Sequence, residues 1–369
     1  PNGDFVEVKL PFKPFGREDV FAMSPSGVVW LRTDDNGLAR FSRHAKRFFT
    51  IKPPADLSPS SRVRNIAVDR DNNVWLSNAG SKLLHWNRSD DTWVDQLPGN
   101  AVTIKAITSL PDGTVWVALS GNNQLIGFDP ETRTWKHEYQ FRLLFSAFSQ
   151  TSDGRLLFSS ERHVFVLAPG TGQLEQVTQR PVKGQIRALL QDSAGNTWVG
   201  THENGLTKIG PSGHIQQWRT ENSGLSSNEI FSLYMDEAGT LWIGTWHGGL
   251  LAYDPATDTF KRYGKDEGLP DSTVFGILPD EAGYLWLSSY GGLTRFKPCR
   301  GTTGCQPEVQ VFDQRDGLQG HAFDADSHFK SASGELFFAG KGGLNAFFPQ
   351  DIPVNQTPPR VVVSRAQLN

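Results

Sequence analysis

The feature that most constrains this chain is an internal repeat. Two stretches, LLQDSAGNTWVGTHENGLTKIGPSGHIQQWR at 189–219 and SLYMDEAGTLWIGTWHGGLLAYDPATDTFKRYG at 232–264, share one plan. Each has a short apolar run, an Asp/Gly turn, an aromatic at a set offset, a Gly-Thr step, a Gly-Leu step and a closing polar/aromatic run. The marker aromatic recurs as Trp30, Trp75, Trp116, Phe158, Trp198, Trp242, Trp286 and Phe338, at spacings of 45, 41, 42, 40, 44, 44 and 52 residues. The last spacing is lengthened by an insertion that holds both cysteines. A period in the low forties with four short strands per unit is the signature of propeller blades.

Within one unit, Ile230 to Tyr234 reads as the inner strand, and a D-x-x-G turn leads into the second strand with its Trp. Glycine at that turn accepts positive φ, which lets a tight hairpin join two twisted strands. The third strand follows Gly249-Leu250, and Thr259 to Tyr263, more polar, lies outermost. Eight copies predict an all-β fold, a single β-propeller of eight four-stranded antiparallel blades, with seven blades as the alternative. The last repeat supplies three strands before Pro349, while Asp4 to Lys9 looks like a spare fourth strand. Pairing of this N-terminal strand with the last blade is therefore expected to close the ring and remove open sheet edges. On this reading 1–349 is the propeller, and 350–369, Pro-punctuated and then Val-rich, is a linker and the first strand of a following, truncated domain.

Composition narrows the function classes. With 36 Lys+Arg against 39 Asp+Glu, a net charge of -3, the chain lacks the electrostatic footprint of a nucleic-acid binder. No apolar run approaches the length of a spanning helix, and the opening PNGDFVEVKL lacks the basic and apolar regions of a signal peptide. Membrane attachment is expected only through flanking segments missing from this sequence. Cys299 and Cys305, across the loop CRGTTGC, are too few for a disulfide scaffold and incomplete as a zinc site. A short-loop disulfide and two free thiols both fit.

The segments DEAGTLWIGTWHGGL and DSAGNTWVGTHENGL resemble the two-component regulator propeller repeats of bacterial sensor proteins. The terminal FFPQDIPVNQTPPRVVV resembles the junction in those proteins between the propeller and a small immunoglobulin-like domain. The resemblance implies a periplasmic, ligand-sensing input domain of a membrane-anchored receptor. Its output would be a histidine kinase, a hybrid kinase or a diguanylate cyclase, its ligand a small molecule or oligosaccharide, and its assembly compatible with a homodimer. No output motif is present, so the chain itself is expected to be non-enzymatic. Two alternatives stand beside this reading. LPDGTVWVALSGNNQLIGFDPETRTW resembles the repeats of streptogramin-type lyases, which would make the ring an enzyme, and a protein–protein scaffold would need a broad apolar patch on one face.

Residues repeated in every blade are explained by the fold. The marker aromatics are expected to pack blade on blade, and turn residues such as Asp112, Asp192, Asp236 and Asp280 to bond their own turn backbone. Asp69, Asp71 and Asn73 imitate the start of a calcium loop but lack its Gly and distant Glu. A ligand site on a quasi-symmetric ring must break the symmetry. The loops joining second to third strands and those preceding the inner strands converge on one face, where Trp246 and Tyr290 stand at equivalent places in adjacent blades as a platform for a sugar face. His247, His202, Arg32, Arg64, His321 and Phe323 complete the expected ligand-binding set, the mixture of a specific small-molecule pocket. No metal, cofactor or catalytic residue is expected. His163, His202 and His247 recur on successive blades, whose loops diverge radially.

Overall fold

In four of the seven repeats the turn between the first two strands is fixed by one hydrogen-bonding device, while in the second blade Leu110 holds the same turn position. Asp236 Oδ1 accepts the backbone N–H groups of Ala238 and Thr240, and its Oδ2 accepts the Trp242 indole Nε1–H at 2.7 Å. Asp69, Asp192 and Asp280 hold Trp75, Trp198 and Trp286 in the same way. Where the indole is absent, the carboxylate is absent too. Thr151 and Ser331 take the Asp position in two repeats, their hydroxyls accepting from Arg155 N and Glu335 N, and Leu157 and Phe337 take the Trp position. Phe158 and Phe338 sit one residue beyond it, on the opposite side of their strands. A hydroxyl is enough when there is no second donor to satisfy.

The computed structural model describes residues 48–352, apart from 56–57, 59–61, 79–81, 98–102, 121–122, 142–144 and 300–304, together with the backbone of three strands before residue 48. Seven four-stranded antiparallel sheets run in order along the chain: blade one at 63–95, then 103–140, 145–176, 186–218, 230–263, 276–312, and blade seven at 323–347. Each inner strand lies against the next, and Phe323–Lys330 of blade seven lies against Val63–Val68 of blade one, which closes the ring. Trp75 packs on Phe128 and Trp135 of blade two, Trp198 on Tyr253 of blade five, and Trp242 on Phe296 of blade six. The core is thus a series of seams between blades, each built on an aromatic wedge.

The ring has seven blades, not eight, and Asp4 to Lys9 does not supply its closing strand; those residues lie outside the described ones. The outer strand of blade seven is Phe49–Ile51, paired antiparallel with Gly343–Phe347 through Phe49↔Ala346 and Ile51↔Leu344. The repeat marked by Trp30 forms a separate three-stranded sheet of Ala22–Met23, Val28–Arg32 and Leu38–Ser42, in a compact unit spanning 1–47. The strand that would be fourth in that repeat is the one used by blade seven. Specific contacts hold it there. Asn345 Nδ2 donates to Phe49 O at 2.9 Å, Thr50 Oγ1 donates to Gly317 O at 3.1 Å, and the buried Phe48 ring stands edge-on to Phe312 and Phe347 at 5.1 and 4.8 Å.

Candidate functional site

The inner strands carry a one-residue irregularity near their first residues, where two residues oppose one on the second strand. The extra residue is Arg64 in blade one, Lys105 in blade two, Ser146 in blade three, Arg187 in blade four and Phe231 in blade five. Phe275 holds the equivalent place in blade six by spacing. In blade seven the pairing opens from Phe323 to His328, releasing Asp324 and Asp326. A bulge re-aims the extra side chain out of the alternation of its strand. Here the re-aimed residues collect at one mouth of the central channel. A cavity of about 400 Å³, lined by all seven inner strands, includes Lys105, Ser146, Arg187, Phe231, Asp326 and His328.

The loops between second and third strands form the rim above them. Thr245 Oγ1 donates to Gly249 O at 2.7 Å, and Gly249 has φ +84, with a Cβ there falling 2.3 Å from Tyr263 O. Only glycine fits, and the tight turn lifts the residues between. His202, Trp246 and Tyr290 each directly follow the end of a second strand, in blades four, five and six. Trp246 and Tyr290 meet edge to face at 5.8 Å; Tyr290 also meets Phe275 at 4.8 Å, and Trp246 meets Phe231 at 5.7 Å. Tyr290 is 44% exposed, so the four rings make a wall open to solvent on one side.

Charge surrounds this wall. Arg62 donates through Nε and Nη2 to both oxygens of Asp324, which raises its pKa further above the ordinary arginine value. Asp326 meets channel water but is walled by protein, and this desolvation raises its carboxyl pKa, opposed by the nearby Arg187 and Arg64. His328 is pushed down to about 4 by its desolvation. On the outer rim His202 Nε2 lies 3.8 Å from Glu229 and Nδ1 lies 3.5 Å from Glu203. Among the described residues no group of three or more His, Cys, Asp or Glu is placed to hold a metal ion.

The structure brings most of the expected site residues to this face. Trp246 and Tyr290 touch; His247 is exposed beside Trp246 at 4.9 Å, in left-handed backbone (φ 56) with its N–H donating to Thr273 Oγ1. Arg64 is exposed at the bulge of blade one's inner strand, with its charge acting on Asp326, and His321 is exposed in the loop before the inner strand of blade seven. Phe323 is 2% exposed and packs on Phe338, in the core rather than on the surface. Arg32 ends a strand of the separate N-terminal unit, and its side chain lies outside the described residues. Cys299 and Cys305 are paired as a disulfide, Cα atoms 5.9 Å apart, between the third and fourth strands of blade six at the opposite end of the blade. A larger cavity of about 630 Å³ also lies on that opposite face, between the turns of blades six and seven, where Arg295 stacks on Tyr284 at 3.8 Å.

Sequence reading missed Lys105, Arg187 and Asp326. A signal for the first two is visible in retrospect: Val63-Arg64-Asn65, Ile104-Lys105-Ala106, Phe145-Ser146-Ala147, Ile186-Arg187-Ala188, Ile230-Phe231-Ser232 and Val274-Phe275-Gly276 are all triplets of an apolar, a variable and a small residue. The small third residue leaves room for the bulge.

Three solved structures illustrate the likeness of the fold. The extracellular domain of a protein described as a hybrid two component system from B. thetaiotaomicron matches with TM-score 0.71 at 19% identity over 95% of this chain and 49% of that one. This chain thus spans about half the length of that domain. Virginiamycin B lyase from Staphylococcus aureus matches with TM-score 0.57 at 14% identity over 78% of this chain and 94% of the lyase. YCF48 from Cyanidioschyzon merolae matches with TM-score 0.56 at 13% identity over 78% and 96% of the two chains. At these identities the likeness establishes the propeller architecture alone. No curated protein sequence matches the chain significantly. The family model described as "Two component regulator propeller" matches residues 182–203, 224–247 and 268–291, the first two strands and rim loops of blades four, five and six. These three repeats are what the chain shares with that family.

Proposed function

We propose that this propeller is the ligand-sensing input domain of an extracytoplasmic bacterial receptor, with a small molecule or oligosaccharide bound at the channel mouth. The observation that carries this reading is the wall of Phe231, Trp246, Phe275 and Tyr290, open to solvent and flanked by His202, Arg64 and the Arg62–Asp324 pair. Rings exposed beside convergent polar groups suit the apolar face and hydroxyls of a sugar. The repeats and the extracellular two component neighbour support the signalling role, and periplasmic placement follows from the same reading. Among the described residues no helix is long and apolar enough to cross a membrane. Output and membrane anchoring belong to the whole receptor, for which a homodimer is the assembly we propose.

Titration calorimetry of the chain with an oligosaccharide panel tests this. Saturable binding that weakens by at least tenfold in Trp246→Ala and Tyr290→Ala is expected; binding indifferent to both would place the ligand elsewhere.

The fold shared with virginiamycin B lyase gives a second reading, a propeller enzyme, for which His202 with Glu229 is the acid–base pair on this rim. That reading requires turnover of a ring ester dependent on a divalent cation and lost in His202→Ala.

A further inference from the structure

The channel mouth is divided by chemistry. Blades one, two and four contribute Arg64, Lys105 and Arg187, and blades five and six contribute the aromatic wall. None of the three cations makes a salt bridge among the described residues, although Arg62, Arg70, Arg88, Arg155, Arg219 and Arg315 all do. Arg187 goes further: its Nε is buried without a hydrogen-bond partner. A buried, unmatched guanidinium donor is costly unless something completes it.

Two carboxylates stand here, Asp324, already paired with Arg62, and Asp326, which is the one left among these cations. Arg64 from the adjacent blade and Arg187 from across the ring both act on it electrostatically, so the two converge on the same part of the channel. Yet neither bonds it, and one carboxylate does not balance three cations. The chain as a whole carries a net charge of -3, so this local positive excess runs against its overall charge. Arginine forks match carboxylates in paired hydrogen bonds.

We propose that the mouth is built for an acidic oligosaccharide, with a ligand carboxylate held by Arg187, Arg64 and Lys105 while a sugar ring lies on Trp246 and Tyr290. This rests on the ligand-sensing reading and names its substrate class. The ligand carboxylate would supply the acceptor that Arg187 Nε lacks, and the bulges are the devices that bring the three cations to one place.

The test pairs trigalacturonate with its carboxyl-reduced neutral counterpart in calorimetric titrations of the whole chain. Trigalacturonate should bind at least tenfold more tightly. Arg187→Met should remove ten- to hundredfold of its affinity, the range for a charged hydrogen bond, and leave the neutral sugar unaffected. Lys105→Met, at an exposed bulge of its inner strand, gives the same test with a smaller loss where Arg187→Met fails to fold. A second measurement is independent of the sugar chain: the arginine Nε–H resonances during titration with glucuronate, in which Arg187 should shift and saturate.

Equal binding of the acidic and neutral sugars through Trp246 would overturn the anionic assignment while leaving a carbohydrate sensor in place. Acidic binding indifferent to both Arg187→Met and Lys105→Met would overturn it as well, as would arginine resonances unmoved by glucuronate. Saturation of the Arg187 signal by glucuronate with no response to Trp246→Ala would keep the anion site and remove the aromatic platform instead.

Discussion

Arg62 and Asp324, 262 positions apart in the chain, face each other across the seam between the first and seventh blades, with Nε and Nη2 of the arginine on the two carboxylate oxygens at 2.9 and 2.6 Å. A second bidentate pair crosses the same seam nearer the opposite face. Arg88 donates from Nη1 and Nη2 to Glu335 at 2.6 and 3.2 Å. The two pairs differ in depth: Arg62 is exposed at the mouth, whereas Glu335 is 4% exposed.

That difference predicts unequal costs. Arg88→Met should lower unfolding stability in urea by about 3 kcal/mol, because it leaves a buried carboxylate without its counterion. Arg62→Met should cost less than about 1 kcal/mol, as solvent replaces an exposed partner. Equal losses would mean that burial does not set the strength of the seam.

Closure by Phe49–Ile51 makes Phe48 a keystone. Its ring is buried among Trp286, Phe312 and Phe347, so Phe48→Ala should cost roughly 3 to 5 kcal/mol. Phe49, its neighbour, is 71% exposed, and Phe49→Ala should be nearly neutral. If the two variants unfold at the same urea concentration, the closing strand is wrongly assigned.

The turn device makes Asp236 a structural carboxylate. Asp236→Ala removes the acceptor of two backbone N–H groups and of the Trp242 indole, and should destabilise by about 2 kcal/mol. Thr151→Ala should cost less, since no indole depends on that side chain. Thermal unfolding of both variants decides between a structural and a catalytic reading: a loss of ligand response without loss of stability in Asp236→Ala would contradict the structural one.

His328 gives a pH dependence. Its folded pKa of about 4 lies below the ordinary 6.5, so between these values the unfolded chain binds a proton that the folded ring does not. Stability should therefore fall as the pH drops from 7 to 4, by about 3 kcal/mol from this residue. Asp326 works in the opposite sense, holding its proton to higher pH in the folded state, and Lys330 and Arg187 are cations that line the channel with it. The difference between wild type and His328→Gln isolates the histidine, and a difference independent of pH would remove it as the cause.

Much of the architecture was legible because it repeats locally. The turn Asp and the Trp six residues later lie within one hairpin, so blades one, four, five and six announce themselves. Ring membership does not, because it depends on one pairing between residues almost 300 positions apart. Asp4 to Lys9 and Phe49–Ile51 both read as outer strands, and generic strand propensity cannot choose between them; the buried Asn345 amide and the Phe48 pocket do. The site divided along the same line. Trp246 and Tyr290 stood out as departures from a repeated loop, whereas Arg187 is hidden within an inner strand, and only the bulge reveals that it leaves the strand's alternation. Phe323 was read as surface because its loop faces the mouth, but it is the first residue of a strand and turns into the seam.

The pairing of Phe49–Ile51 with Gly343–Phe347 has a mechanical side. The chain enters the ring at Phe48 and leaves it near Ile352, and both residues sit in one apolar cluster. Because the two strands are antiparallel, with Phe49 opposite Ala346 and Ile51 opposite Leu344, both flanks pull on the same end of the pair. Tension between them opens the strands like a zipper, one hydrogen bond after another, instead of shearing all of them together. The other six blades carry none of that load. The ring is compliant at one short latch between its two flanks.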